Sequence, residues 1–222
     1  RQCILAYEPD SLPGSDSLPE DLKVGRWSMM KWAVYKLKNE CPNLWLYIDT
    51  GHPAWRSTQD CANLLHQVGI EKANGFVINV SNFRPDSECI TYGQQICAAL
   101  NLPNARFTYD TGRNGGTPPE SFMWANPPTR QFGKPPQFGN TGIDRCDGWL
   151  WWKTVGESDG NNNDGWVGEQ APNAGQFYPK YLYNDAVGDN VTTGVVANSS
   201  GMAQRPPTPG VTIQGAQNPQ YP

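Results

Sequence analysis

The sequence predicts an α/β protein: a partial or distorted parallel β/α barrel with an irregular C-terminal arm. Three observations carry that expectation. Short apolar runs recur through the first 160 residues, helix-length segments separate them, and each run stops at a polar cluster. Unbroken apolar runs of about four to six residues suit strands buried on both faces, as parallel sheets require. Strand, helix, strand is the rhythm of the βαβ unit. In barrels of such units the carboxyl ends of the strands carry the chemistry.

The first run, Ile4-Leu5-Ala6-Tyr7, stops at Glu8-Pro9-Asp10. A helix is expected from Pro19 to Asn39, where Leu22, Trp27, Met30, Val34 and Leu37 recur at roughly helical spacing. Glu20 and Asp21 open it and Lys36 and Lys38 close it, the charge order that the helix dipole favours. Leu44-Trp45-Leu46-Tyr47-Ile48 ends at Asp49-Thr50-Gly51-His52, and Ser57 is placed to cap a helix running through Gln67. Gly75-Phe76-Val77-Ile78 ends at Asn79-Val80-Ser81-Asn82. Pro85 to Leu100 sets Ile90, Ile96, Cys97 and Leu100 on one side and stops before Pro103. Ala105-Arg106-Phe107-Thr108-Tyr109 ends at Asp110-Thr111-Gly112-Arg113-Asn114-Gly115. The last run, Trp149-Leu150-Trp151-Trp152, ends at Lys153 and leads to Gly156-Glu157-Ser158-Asp159-Gly160. Five strands are too few to close the usual barrel. Beyond about Asp185 the pattern dissolves into Gly, Ser, Gln and Pro, so residues 1–185 read as one domain and 186–222 as a tail or docking arm.

A chain of 222 residues is long enough for one real core. Its net charge of −4 argues against nucleic acid or an anionic membrane as partner. No apolar run approaches the ~18 residues of a bilayer span. No Cys-x-x-Cys spacing marks a metal site, and no Gly-x-Gly-x-x-Gly turn follows a strand, so neither a metal nor a cofactor is expected. The six cysteines and the sequons at Asn79, Asn190 and Asn198, with only 17 Lys plus Arg, point to a secreted, extracellular glycoprotein with two or three disulfides. Six reduced core thiols are the alternative.

Nine tryptophans and nine tyrosines say more than the charge does. Trp55, Trp124, Trp149, Trp151, Trp152 and Trp166 fall on or just after strand ends, where flat rings beside carboxylates and amides suit the faces and hydroxyl rims of a sugar. Trp55 and Trp124 are the preferred sugar contacts, because they lie in Gly- and Pro-rich loops rather than in a periodic run.

An ordered set of blocks then carries a resemblance. Glu8-Pro9-Asp10, Asp49 to Trp55, Asn79 to Phe83, Asp110 to Gly115, Asn140-Thr141-Gly142 and Trp151-Trp152-Lys153 with Gly156 to Gly160 together resemble glycoside hydrolase family 6. These are the cellobiohydrolases and endoglucanases that cleave β-1,4-glucan with inversion. The resemblance covers roughly residues 3 to 185. It implies Asp10 as general acid, its proton held by like-charge neighbours and partial burial. It places Asp159 at the candidate base and Asp49 at an acidic residue that tunes the site. His52, Trp55, Asn82, Trp124, Lys153 and Glu157 match substrate-binding positions. Asp49 or Asp110 taken alone reads equally well as a strand-end cap.

The chain departs from the family pattern in two places. Relatives carry further strands and an Arg-Asp-Cys loop before the Glu-Pro-Asp strand, whereas this chain opens at Arg1. The expectation is that this portion sits on a second chain or an N-terminal fragment, or was lost or not resolved; the alternative is a reduced relative that self-assembles as a non-catalytic structural subunit. Relatives also bond a cysteine after the Trp of Trp124-Ala125-Asn126 to one beyond Asp159; here the loops hold Ala125 and Asn161-Asn162-Asn163. The expected activity is inverting hydrolysis of β-1,4-glucan, with β-glucan as the ligand.

Overall fold

The computed structural model describes residues 2–120, 123–160 and 173–177. The predicted tail, Trp166 and the sequons at Asn190 and Asn198 lie outside the described residues. In chain order the elements are β1 (Cys3–Tyr7), α1 (Glu20–Glu40), β2 (Leu44–Asp49), α2 (Thr58–Gln67), β3 (Gly75–Ile78), α3 (Asp86–Leu100), β4 (Phe107–Asp110), β5 (Gln137–Phe138) and β6 (Cys146–Leu150). The strands form one sheet in the order β1-β2-β3-β4-β6-β5. All neighbours are parallel except β5, which runs antiparallel to β6. The sheet is open, with β1 and β5 as its edges.

Sequential parallel neighbours joined by right-handed crossovers place α1, α2 and α3 on the same side of the sheet. The two faces of the strands differ accordingly. Leu46, Ile48, Phe76, Ile78, Phe107 and Tyr109 join helix residues such as Val34, Leu65 and Ile96 in the apolar core. The opposite face is mixed: Phe138 packs edge-on against Trp45 and Tyr47, and Tyr47 donates to Asp147 at 2.8 Å beside the Arg106–Asp147 ion pair. The helix layer sits close enough to require Gly93 in α3, where a Cβ would come within 2.5 Å of the Phe107 ring.

The helices match expectation closely. Ser57 accepts a hydrogen bond from the Asp60 N–H at 3.1 Å, which satisfies one of the orphan donors at the start of α2. The last strand does not match. It runs Cys146–Leu150, earlier than the apolar run predicts, and Trp151 and Trp152 lie beyond its end.

The expected disulfides are absent, and all six cysteines are free thiols. Cys89 and Cys97 share α3, and eight residues of helix separate them by about 12 Å, well beyond a disulfide's reach. Cys61, Cys89, Cys97 and Cys146 are buried, and each points its sulfur at a backbone carbonyl. Burial pushes the thiols up, to about 11 for Cys61 and Cys146 and to about 12 for Cys97, so they behave as core residues rather than nucleophiles.

Candidate active site

At the β1–β2 end, the chain turns sharply after Tyr7, with Glu8 and Asp10 both in the left-handed region at φ 53 and 64°. The turn is pinned from below by Asp49 at the end of β2, whose Oδ2 accepts the Asp10 N–H at 2.8 Å. Asp49 is 1% exposed, and burial drives its pKa up to about 8, which favours the protonated form. Asp10 is raised as well, by burial alone. Of the two effects expected to hold the Asp10 proton, partial burial is the one that raises its pKa; the like-charge repulsion between the two acids raises Asp49 instead.

The loop after β2 builds one wall. Trp55 packs across Gly14 and Gly51, and its ring lies 5.6 Å from that of His52. Burial and the charge of Arg84 push His52 down to about 4, which leaves a neutral imidazole. Its Nδ1 has no partner among the described residues. Arg56 locks the wall in place, donating through Nε to the Pro13 carbonyl at 2.6 Å and pairing with Asp16 at 2.7 Å.

The opposite wall comes from the ends of β3, β4 and β6. Thr111 follows the end of β4, and Arg113 lies two residues beyond it. The Arg113 side chain is 2% exposed and pairs with Asp159 at 2.7 Å. Asp159 also accepts the Asn126 N–H at 3.0 Å and lies 3.5 Å from the Lys153 ammonium. Glu157 also lies 3.5 Å from the Lys153 ammonium. The Arg113 guanidinium lies 4.5 Å from the Phe83 ring centre and donates to the Ser81 carbonyl.

Between the walls lies an open cleft of about 900 Å³. Asp10, His52, Trp55, Asn82, Trp124, Lys153 and Asp159 all line it. Asp49 and Glu157 do not: the first lies beneath Asp10, and the second backs Lys153. Trp55 and Trp124 are 41% and 42% exposed, as platforms for a ligand must be, whereas Trp149 is buried under Lys134 at 3.7 Å. Sequence reasoning gave Arg113 no role, although it is the closest cation to Asp159. Its place in the Asp110 to Gly115 block was the available signal.

Asn79 is corrected as a glycosylation candidate. It is fully buried, and its amide donates to the Asp110 carbonyl at 2.9 Å while accepting the Arg84 N–H at 3.1 Å. No cluster of metal-binding side chains occurs among the described residues. No helix there is long and apolar enough to cross a membrane.

Comparison with known proteins places this geometry. The chain is 34% identical over 186 residues to endoglucanase 1 of Streptomyces halstedii, covering 82% of this chain and 55% of that protein. It is 38% identical over 176 residues to endoglucanase A of Cellulomonas fimi, covering 79% and 36%. It therefore spans about half the length, or less, of these curated relatives. Among solved structures, the endoglucanase Cel6 of Mycobacterium tuberculosis, determined with a thio-cellobioside, superposes with a TM-score of 0.74 at 34% identity, over 83% of this chain and 62% of that one. The family description "Glycosyl hydrolases family 6" matches residues 1–186, and the chain belongs to that family.

Proposed function

We propose that the cleft hydrolyses β-1,4-linked glucan with inversion, Asp10 acting as general acid. The observation that carries this reading is the pairing of two unlike carboxylates in one cleft. Asp10 has its pKa raised by burial and takes part in no ion pair among the described residues, which suits a proton donor. Asp159 is held by Arg113 and Lys153 and is the candidate to receive the proton of the attacking water. Asp49 tunes the turn that carries Asp10. Trp55 and Trp124 offer sugar platforms, with His52, Asn82 and Lys153 as polar contacts and Glu157 supporting Lys153.

Asp10→Ala is expected to lower turnover of a soluble cello-oligosaccharide by about 10²–10⁴ while leaving binding nearly intact. Inversion requires the α-anomer as the first product, seen by NMR. An unchanged rate removes Asp10 from the mechanism, and β-anomer first removes inversion. A wild-type chain that binds the oligosaccharide without cleaving it favours the non-catalytic reading.

The partner is proposed from the β1 edge. No strand pairs with the outer side of β1 among the described residues. On α1, Leu22, Met29 and Trp32 are 57%, 69% and 65% exposed. They lie away from the flank where Tyr35 and Lys31 meet Gly69 beside α2. An open parallel edge beside exposed apolar side chains suits a further strand and helix of a family 6 domain, on this polypeptide or another. Light scattering after size exclusion tests this on residues 1–222. Association is expected, and a monomer of 24.6 kDa with cooperative unfolding overturns it. An extracellular location is part of the same proposal.

A further inference from the structure

We propose that Asp110 is a positioning residue that holds three cleft loops in register. The proposal rests on the reading of the cleft as a glucan site. Asp110 ends β4, is 1% exposed and does not line the cleft. Its Oδ1 accepts the Gly112 N–H at 2.7 Å. Its Oδ2 accepts the Ser81 and Lys153 N–H groups, each at 3.0 Å.

A strand-end cap satisfies its own turn, and the bond to Gly112 does that. The other two bonds come from the loops after β3 and β6, on the two strands that flank β4. One carboxylate thus fixes the backbone beside Asn82, the backbone beside Arg113 and that of Lys153 itself. Arg113 and Lys153 are the two cations on Asp159. Asp110 therefore acts on the cleft through the placement of those cations.

Asp110→Asn keeps the shape but turns an acceptor oxygen into an N–H₂ donor that faces N–H donors. Displacement of catalytic groups by about 1 Å costs up to about 10²-fold in rate, so kcat on a soluble cello-oligosaccharide is expected to fall by about 10- to 100-fold. In an Asp159→Asn background the same change is expected to cost less than about 3-fold, because coupled residues are not additive. Full additivity overturns the proposal.

A second readout does not need turnover. The Ser81, Gly112 and Lys153 amides should exchange faster with solvent in Asp110→Asn, and the Arg113 Nη signals should lose their protection. Phe107→Leu, a core change in the same strand, should leave both unchanged. Equal changes in the two variants, or none in Asp110→Asn, overturn the proposal. If Asp110→Asn does not fold, wild-type NMR decides: couplings across the hydrogen bonds from Ser81 and Lys153 to the Asp110 carboxyl carbon are expected, and their absence overturns the proposal. A wild-type chain without turnover defeats the glucanase reading alone, since the NMR readouts still test Asp110.

Discussion

Asp49 and Asp110 hold the same place on two strands of one sheet, yet the structure uses them differently. Each ends its strand, each is 1% exposed, and each accepts backbone N–H groups. Asp49 leaves Oδ1 without a hydrogen-bond partner, and burial pushes its pKa to about 8. Asp110 is also raised by burial, but three backbone donors and the charge of Arg113 oppose that rise. Backbone donors oppose the rise at both acids, and the neighbouring charge separates them: Asp10 adds to the rise at Asp49, whereas the Arg113 guanidinium opposes it at Asp110. The cleft thus has one side of buried acids whose pKa values are raised, around Asp10 and Asp49, and one side built on ion pairs, around Asp159.

The ion-paired side should give the larger response to mutation. Arg113 and Asp159 have side chains 2% and 8% exposed. Removing one partner of a buried pair leaves an uncompensated charge, at a cost of about 3–5 kcal/mol. Arg113→Met is expected to lose stability on that scale in urea unfolding. Adding Asp159→Leu should recover part of it, since both charges are then gone. A loss under about 1 kcal/mol would show that Lys153, 3.5 Å away, balances Asp159 by itself, and the contrast between the two sides would weaken.

Much of this arrangement was legible in the sequence, because apolar runs ending in Asp or Asn mark parallel strands that deliver polar groups to one rim. α2 and α3 could be read from Ser57 and from the apolar positions of residues 86–100. β6 was misplaced because two of its residues break the apolar rule. Asp147 is buried but satisfied by Tyr47 and Arg106, and Gly148 is required because a Cβ there would come within 2.4 Å of the Gln137 carbonyl oxygen on β5. Both reasons lie in partners distant in sequence. The roles of Arg113 and Asp110 were hidden for the same reason: Asp159 lies 46 residues from Arg113, and Lys153 lies 43 from Asp110. The free cysteines were misread from composition alone, which records their number but not the carbonyls they face.

The proton-keeping side should show itself in pH dependence. Asp49 has a folded pKa of about 8, above the ordinary value of 3.8 for the group. Between those values the folded chain holds a proton that the unfolded chain has released, so this group's contribution to stability falls as pH rises. The slope is at most ~1.4 kcal/mol per pH unit and vanishes above the folded value. Asp49→Asn resembles the neutral acid and cannot ionise, so the difference in unfolding free energy between variant and wild type should grow in the variant's favour from about pH 4 to pH 8. Asp10 and Asp110 are raised in the same direction and are present in both chains, so the difference reports Asp49 together with its coupling to Asp10. Urea unfolding at pH 5, 6 and 7 measures it, and a difference that stays flat would show that Asp49 is ionised in the folded chain. The proton on Asp10 would then face a charged neighbour after all.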